Sequence, residues 1–160
     1  MDRVNRILVH PLYQSCLAGI AEWEKDRIFC GHDMGHLLDV ARLAWIFNLE
    51  QGLGLERERV YAAALLHDIG RHIQYEKGIP HQIAGLPIAE EILSACGFSD
   101  DARADILHAI ENHRNGQIKA CRDLSGILYR ADKMSRSCFG CAAEPECNWS
   151  MEKKNLKIQY

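Results

Sequence analysis

The sequence predicts an all-α protein, built as a single compact bundle of about six helices with a short Cys-rich C-terminal tail. Apolar residues recur at the spacing of a helix face through most of the chain, and few segments alternate as β-strands do. The 160 residues suit one domain with one core, and 48% hydrophobic with 26% charged residues is ordinary for a globular protein. We find no internal repeat.

Capping and breaking residues indicate where these helices begin and end. Asp33 and Ser99 are favourable N-cap residues. Gly52 follows the second predicted helix and Gly70 the third, whereas Pro87 starts the fourth late or kinks it. The predicted helices cover approximately Val4–Lys25, Asp33–Glu50, Glu56–Ile69, His81–Cys96, Ser99–His113 and Asp123–Arg136.

Turn residues occupy the connections between the predicted helices. The segment Arg71–Pro80 carries a glycine and a proline near its end and is predicted as a turn, as is Asn115-Gly116. Beyond Arg136 the helical pattern is weak. We therefore expect a helical domain over residues 1–136 and a tail over residues 137–160 that packs on it, with Trp149 in the contact.

Charge and hydropathy exclude several classes of partner. A formal net charge of −3 provides no basic field to hold long nucleic acid by counterion release, although a small anion could still bind locally. The N-terminal segment carries charged residues too early for a signal peptide. No apolar run approaches the roughly 18 residues of a membrane span. We expect a cytoplasmic protein without a membrane partner, and the oligomeric state stays open.

Histidine and aspartate side chains fall on the apolar faces of the predicted helices. A helix face that starts at His36 continues through Val40 and Phe47, so His36 points to the core. The third helix is apolar on all sides and ends in His67-Asp68, where a buried carboxylate is costly unless it is partnered. The same phase argument turns His81, His113 and Asp132 inward and leaves His10 and His108 at the surface.

Six inward donors of imidazole or carboxylate suggest a metal site. A single buried histidine is more often a core residue satisfied by one hydrogen bond. It is much less probable that six such residues, from five predicted elements, all point inward by coincidence. These donor types suit Fe, Mn, Zn, Co or Ni.

Five segments, taken in chain order, resemble the HD superfamily of metal-dependent phosphohydrolases, whose members share an H…HD…D pattern. Here that pattern reads His36, His67-Asp68 and Asp132. Many bacterial members continue the first motif as HxxRV, whereas this chain has Asp39 in place of that arginine, so no role of the arginine carries over. The segments are GHDMGH at 31–36, ALLHDIGR at 64–71, HQIAGLPIAEEIL at 81–93, ILHAIENH at 106–113 and YRADKMSR at 129–136.

The resemblance implies a site with one or two divalent ions. His36, His67, Asp68 and Asp132 would bind the first ion. In two-metal members the aspartate of the HD pair bridges, so Asp68 would be shared. His81 and His113 would hold the second ion.

The resemblance also implies hydrolysis of a phosphate ester or anhydride, of a nucleotide or related small molecule, by metal-activated water. Asp68 would orient the water, and Arg71 and Lys133 would contact the phosphate, unless they are solvated surface charges. His32 would donate to the substrate or only cap the edge of the pocket. The same ligands serve two alternatives, a di-iron oxygenase of the HD type and a non-catalytic nucleotide-binding module.

The tail holds a separate cysteine pattern. Cys138, Cys141 and Cys147 form CxxCx5C, which is typical of Zn sites in its first half and resembles part of some [4Fe–4S] motifs. Seven cysteines cannot all pair, so metal ligands and plain reduced thiols are the main readings, with a disulfide as the third. A fourth metal ligand would come from Cys16, Cys30, Cys96 or Cys121.

Overall fold

The computed structural model describes residues 1–160 and confirms the all-α class. It contains eight α-helices joined by loops and three short 3₁₀ turns, with no β-strand. The α-helices are α1 (Asp2–Val9), α2 (Pro11–Glu24), α3 (Met34–Gln51), α4 (Arg57–Leu66), α5 (Arg71–Lys77), α6 (His81–Ala95), α7 (Asp100–Asn112) and α8 (Leu124–Met134). The 3₁₀ turns span Gly116–Ala120, Cys138–Gly140 and Glu144–Glu146.

The first predicted helix is two helices, because the chain breaks at His10. Pro11 lacks an amide proton and disfavours helical geometry in the residue before it. His10 accordingly adopts extended angles, with φ −69° and ψ 128°. The prediction of one continuous helix from Val4 to Lys25 was therefore wrong, and α1 packs separately against α2 and α4.

The segment after Gly70 is also helical, contrary to the predicted turn. Gly70 and Gly78 flank helix α5 as its N-cap and C-cap, and Gly78 adopts the left-handed angles that glycine tolerates (φ +72°). The glycine and the proline near the end of the segment thus terminate a short helix instead of filling a loop. This places Arg71 on the first turn of a helix, directly beside the HD pair.

Helix α4 is the centre of the bundle. It packs against α1, α3, α6, α7 and α8, and Ala62, Ala63, Ala64, Leu65 and Leu66 are all buried. A helix that is apolar on all sides is stable only when it is surrounded in this way. The site residues that follow Leu66 therefore start from the most deeply buried part of the molecule.

Two glycines bring α6 against the end of α4. A Cβ atom on Gly70 would lie 2.4 Å from the carbonyl oxygen of His81 and 2.5 Å from the amide nitrogen of Gly85. No side chain fits at that distance, so only glycine allows the two backbones to approach so closely. The contact holds the first turn of α6, and hence His81, next to Asp68.

Capping fixes the ends of the other helices that carry site residues. The side chain of Asp33 accepts a hydrogen bond from the amide of His36 at 2.9 Å, as expected of an N-cap. Ser99 caps α7 and Asp123 caps α8 in the same way. None of the helices is long and apolar enough to span a membrane.

The C-terminal segment lies against the helical bundle. Asn155 Nδ2 donates to the carbonyl oxygens of Lys133 (2.7 Å) and Arg136 (3.0 Å), at the end of α8. The ring of Tyr160 meets that of Phe47 edge-on, with 5.0 Å between centroids. These contacts return the tail to α3 and α8, two of the helices that carry the site.

Candidate metal centre

Five elements of the fold deliver six donor side chains to one buried point. The donors lie at the start of α3, just past the end of α4, at the start of α6, at the end of α7 and within α8. All of them are buried, with at most 8% of any residue exposed. They are His36, His67, Asp68, His81, His113 and Asp132.

The first group of donors consists of His36, His67, Asp68 and Asp132. One ligand atom from each lies within 4.8 Å of every other. Asp68 Oδ2 is 3.6 Å from His36 Nε2 and 3.1 Å from His67 Nε2. Asp132 Oδ1 is 3.6 Å and 3.7 Å from the same two nitrogens.

A second group shares Asp68 with the first. The other carboxylate oxygen of Asp68, Oδ1, lies 3.0 Å from His81 Nε2 and 3.8 Å from His113 Nε2. One ligand atom from each of these three residues also lies within 4.8 Å of the others. Asp68 therefore presents one oxygen to each group, the arrangement needed for a carboxylate that bridges two ions.

Hydrogen bonds fix the orientation of the imidazoles. The Nδ1 atoms of His67 and His113 donate to the carbonyl oxygens of Ala64 and Ile110, each at 2.6 Å. His81 Nδ1 donates to the side-chain oxygen of Gln74. Such outer partners hold the tautomer of a metal-binding histidine and direct its Nε2 lone pair at the ion.

With Nδ1 as the donor, each of these rings, when neutral, has its lone pair on Nε2, and no hydrogen-bond donor of the protein satisfies it. The Nε2 atoms of His81 and His113 lie 3.0 Å apart, although both Nδ1 atoms already act as donors. Two neutral imidazoles so arranged face each other with lone pairs, which is unfavourable unless a cation lies near. His67 Nε2 is fully buried and makes no hydrogen bond of acceptable geometry. This donor set therefore fits divalent metal.

The electrostatics hold most donors in the state that binds metal. Burial lowers the pKa of His36 to about 4 and that of His113 to about 3, so both are neutral at neutral pH. Burial opposes ionisation of Asp68 and Asp132, but their histidine neighbours, His67 above all, hold the pKa of both carboxyls well below the ordinary range. Burial alone would lower the pKa of His67, yet the two carboxylates raise it to about 10. A proton on His67 thus offsets part of the negative charge of Asp68 and Asp132, which a bound metal ion would otherwise offset.

The predicted substrate contacts lie beside this site. Arg71 Nε donates to Asp68 Oδ1 at 2.9 Å, and Lys133 Nζ donates to Asp132 Oδ2 at 2.5 Å. The Nε2 atom of His32 is 3.8 Å from Asp68 Oδ2, and its Nδ1 is bonded to the carboxylate of Glu24. His32 is buried, so it lies within the wall of the site.

Arg136 is a site residue that sequence analysis missed. Its Nη2 atom lies 3.1 Å from His36 Nε2, and its Nη1 donates to the carbonyl oxygen of Gly31 at 2.7 Å. Only 9% of the residue is exposed. The available signal was its position four residues after Asp132, one turn further along the same helical path.

An open cleft of about 400 Å³ leads to the site. The buried residues His32 and Asp132 line it, while Phe29 and Trp149 contribute aromatic surface. Five basic residues line it, in a chain whose net charge is negative. They are Arg27, Arg71, Arg114, Lys133 and Arg136.

Besides His32, three histidines lie outside the donor set. His108 is exposed on the outer face of α7, and His10 is half-buried at the break between α1 and α2. His72 packs against Gly19 of α2, and its ring bonds to the carbonyl oxygen of Ile69 at 3.2 Å.

The three tail cysteines come together with one cysteine from the loop between α2 and α3. A single small cavity is lined by Cys30, Cys138, Cys141 and Cys147. Cys16, Cys96 and Cys121 are elsewhere, and all seven thiols are free of disulfides. Burial raises the pKa of the Cys30 thiol, and its neighbours Cys138 and Cys141 raise it further.

Comparison with known proteins defines the class of this chain. The sequence profile of the HD domain matches residues 34–137, and the chain belongs to this family. It is 44% identical to an uncharacterized protein of Clostridium beijerinckii over the full length of both.

Two further comparisons are more distant. Ribonuclease Y of Mycoplasma mycoides is 33% identical over 104 residues, which cover 65% of this chain but only 22% of that enzyme. A crystal structure described as a predicted HD superfamily hydrolase, from an uncultured Thermotogales bacterium, superposes with a TM-score of 0.63. It covers 92% of this chain and 82% of that one, at 22% identity, and supports the fold.

Proposed function

We propose that this protein is a metal-dependent phosphohydrolase that cleaves a phosphate ester or anhydride of a small molecule, most simply a nucleotide. The observation that carries the proposal is the position of Asp68. It belongs to both buried donor groups, and Asp132 of the first group lines a cleft together with five basic residues. Donors for metal and cations for phosphate thus meet in one place.

His36, His67, Asp68 and Asp132 would hold one ion, and Asp68, His81 and His113 a second. Bound there, divalent ions lower the pKa of water and offset negative charge on phosphoryl oxygens. The protein supplies ligands whose orientation is already fixed by backbone carbonyls, so little reorganisation accompanies binding.

Asp68 and His32 would orient water and substrate at the reacting centre through hydrogen bonds. The Asp68 carboxylate is ionised, because its pKa is held well below the ordinary range, and can orient water as a hydrogen-bond acceptor. His32 Nδ1 is fixed by Glu24, so its Nε2 faces Asp68 at 3.8 Å. Because Nδ1 carries the proton of the neutral ring, Nε2 would accept a hydrogen bond from water or from a substrate hydroxyl above Asp68.

Arg71, Lys133 and Arg136 would bind the phosphate. Each contacts an oxygen or nitrogen of the donor set, within 2.5–3.1 Å, and each also lines the cleft. An incoming phosphate offers these cations new acceptor oxygens, and guanidinium groups suit phosphate because they donate two parallel hydrogen bonds. Their positive charge would also stabilise the negative charge that develops during cleavage.

The cleft favours a small substrate over a long polymer. A volume of about 400 Å³ falls in the ordinary range for small-molecule sites. Phe29 and Trp149 offer faces on which a base could stack. Because several relatives carry the name Ribonuclease Y, phosphodiesters and a short oligoribonucleotide belong in the substrate panel.

The test is to purify the protein without added metal, measure its metal content, and assay it with Mn, Co, Ni, Fe or Zn. The panel holds nucleotides, dinucleoside polyphosphates, simple phosphomonoesters and phosphodiesters. We expect phosphate or nucleotide release that depends on added metal and is lost on chelation. Lys77→Ala, an exposed change on α5, is the matched control and should retain activity.

A metal-loaded protein that hydrolyses none of these compounds would contradict the proposal. Oxygen consumption with such a compound would instead indicate the oxygenase of the HD type. Saturable nucleotide binding without turnover would indicate a binding module.

A further inference from the structure

The cavity at the cysteine tail is a second candidate site, separate from the histidine–aspartate centre. Cys30 precedes α3, whereas Cys138, Cys141 and Cys147 belong to the C-terminal tail. Four thiols from segments about a hundred residues apart thus line one small cavity. The other three cysteines of the chain do not reach it, so the CxxCx5C pattern and one distant partner account for this group completely.

The tail has almost no hydrophobic core of its own. Between residues 137 and 160 only Cys138 is buried, and the two regular elements are 3₁₀ turns of three residues each. So little apolar burial cannot offset the conformational entropy of ordering more than 20 residues. Small segments of this kind are normally held by disulfides or by metal, and no disulfide is present here.

The backbone of the tail directs its thiols to one point. The amide of Cys141 donates to the carbonyl oxygen of Cys138 and that of Cys147 to Glu144, each at 3.2 Å. Lys154, whose side chain is only 7% exposed, lines the same cavity and pairs with Glu144 at 2.7 Å. A buried ammonium group thus lies beside the four thiols.

The spread of the sulfurs distinguishes between occupants. A single zinc ion holds each sulfur at about 2.3 Å and so draws four sulfurs to within about 4 Å of one another. The residue groups whose donor atoms all lie within 4.8 Å are the two histidine–aspartate groups, and no three cysteines form such a group. An iron–sulfur cluster binds its four thiolates through different iron atoms and therefore needs them further apart.

We propose that Cys30, Cys138, Cys141 and Cys147 bind an iron–sulfur cluster that anchors the C-terminal tail to the helical bundle. Cys30 and Cys147 also line the cleft that leads to the histidine–aspartate centre, next to Trp149. The cluster thereby fixes one wall of that cleft. The metal proposal depends only on the cysteines and stands whether or not the protein is a phosphohydrolase.

The experiment is anaerobic purification after expression with added iron and cysteine, followed by measurement of iron, acid-labile sulfide, zinc and the visible absorption spectrum. We expect a brown protein with roughly four sulfides per chain. Cys30→Ser and Cys138→Ser should each lose most of the sulfide and the colour. Cys121→Ser, a half-buried thiol outside the cavity, should retain both.

Sulfide separates this centre from iron at the other site. Asp132→Ala should lower iron that is not accompanied by sulfide and leave the sulfide content unchanged. Circular dichroism of each variant checks that the helices remain folded, and limited proteolysis should cut the tail at least several-fold faster in Cys30→Ser. Stoichiometric zinc without sulfide in the parent protein would overturn the cluster. So would sulfide that is absent from the parent or unaffected by either cysteine change in a folded protein.

Discussion

The carboxylate of Asp68 reaches the imidazole of His81 with one oxygen, Oδ1, at 3.0 Å, while its other oxygen faces the first donor group. His81 is 13 residues further along the chain and belongs to a different helix. The contact exists because Gly70 and Gly85 let α6 lie directly against the end of α4. One side chain thus belongs to both donor groups, and several consequences can be measured.

Asp68→Ala should remove metal from both groups and abolish hydrolysis. The change deletes the shared ligand and the carboxylate that would orient water, and it leaves buried histidines without their counter-charge. Metal analysis and the phosphatase panel, run together, test this. Asp39→Ala, at an exposed carboxylate on α3, should change neither the metal content nor the hydrolytic activity. Full metal content in a folded Asp68→Ala protein would show that Asp68 is not a ligand.

His113→Ala should lower metal content by about half without emptying the first group. His113 belongs only to the second group, where its Nε2 lies 3.8 Å from Asp68 Oδ1, and it is not a member of the first. His108→Ala is the matched control, because His108 lies on the same helix but is exposed. The prediction fails if His108→Ala halves the metal content while His113→Ala leaves it unchanged.

Helix phase made most of the candidate site predictable from the sequence. His36 continues an apolar face, and Asp68 follows a helix that is apolar on every side, so both had to point inward. The separation of His113 from His108 on α7 rests on the same reasoning, and the structure places the two residues accordingly. These inferences are local, since each compares one residue with its neighbours on a single helix.

The features that sequence reasoning missed depend on packing between distant segments. Helix α5 has seven residues, a glycine at each end and no buried side chain, so it has no apolar periodicity to detect. Arg136 meets His36 across 100 residues of sequence, and Cys30 joins the tail cysteines over a similar separation. The sequence offered four cysteines as the fourth ligand of the tail group, and only the packing of the bundle shows that Cys30 lies beside the other three.

Arg71→Ala should reduce the hydrolysis rate or substrate binding about 10- to 150-fold while metal stays bound. A charged hydrogen bond to phosphate contributes about 1.5–3 kcal/mol, and each 1.36 kcal/mol corresponds to a factor of ten. The guanidinium also touches Asp68 Oδ1 at 2.9 Å, so metal content must be measured in the same preparation. A loss of metal that matches the loss of activity would show that Arg71 acts only by holding Asp68.

Glu24→Gln should destabilise the protein at neutral pH, and the penalty should shrink in acid. Burial opposes ionisation of Glu24, but hydrogen bonds from His32 and Tyr75 lower the pKa of its carboxyl from 4.5 to about 2. A carboxyl whose pKa is depressed by folding contributes stability above its ordinary pKa. That contribution is lost as the pH falls through the folded value, here between about pH 4.5 and 2. We expect a penalty of about 1–2 kcal/mol at pH 7, below the full pKa difference because the group is partly solvated.

Urea unfolding of the parent and Glu24→Gln proteins at pH 7, 5, 4 and 3 measures this penalty directly. The difference between their free energies of unfolding should be constant from pH 7 to 5 and then decline. Glu22→Gln is the matched control, since Glu22 is exposed on the same helix and pairs only with Lys25. It should change the free energy of unfolding by less than about 0.5 kcal/mol at every pH. A Glu24→Gln difference that stays constant down to pH 3 would mean that the carboxylate charge does not contribute, and that Glu24 holds His32 and Tyr75 by hydrogen-bond geometry alone.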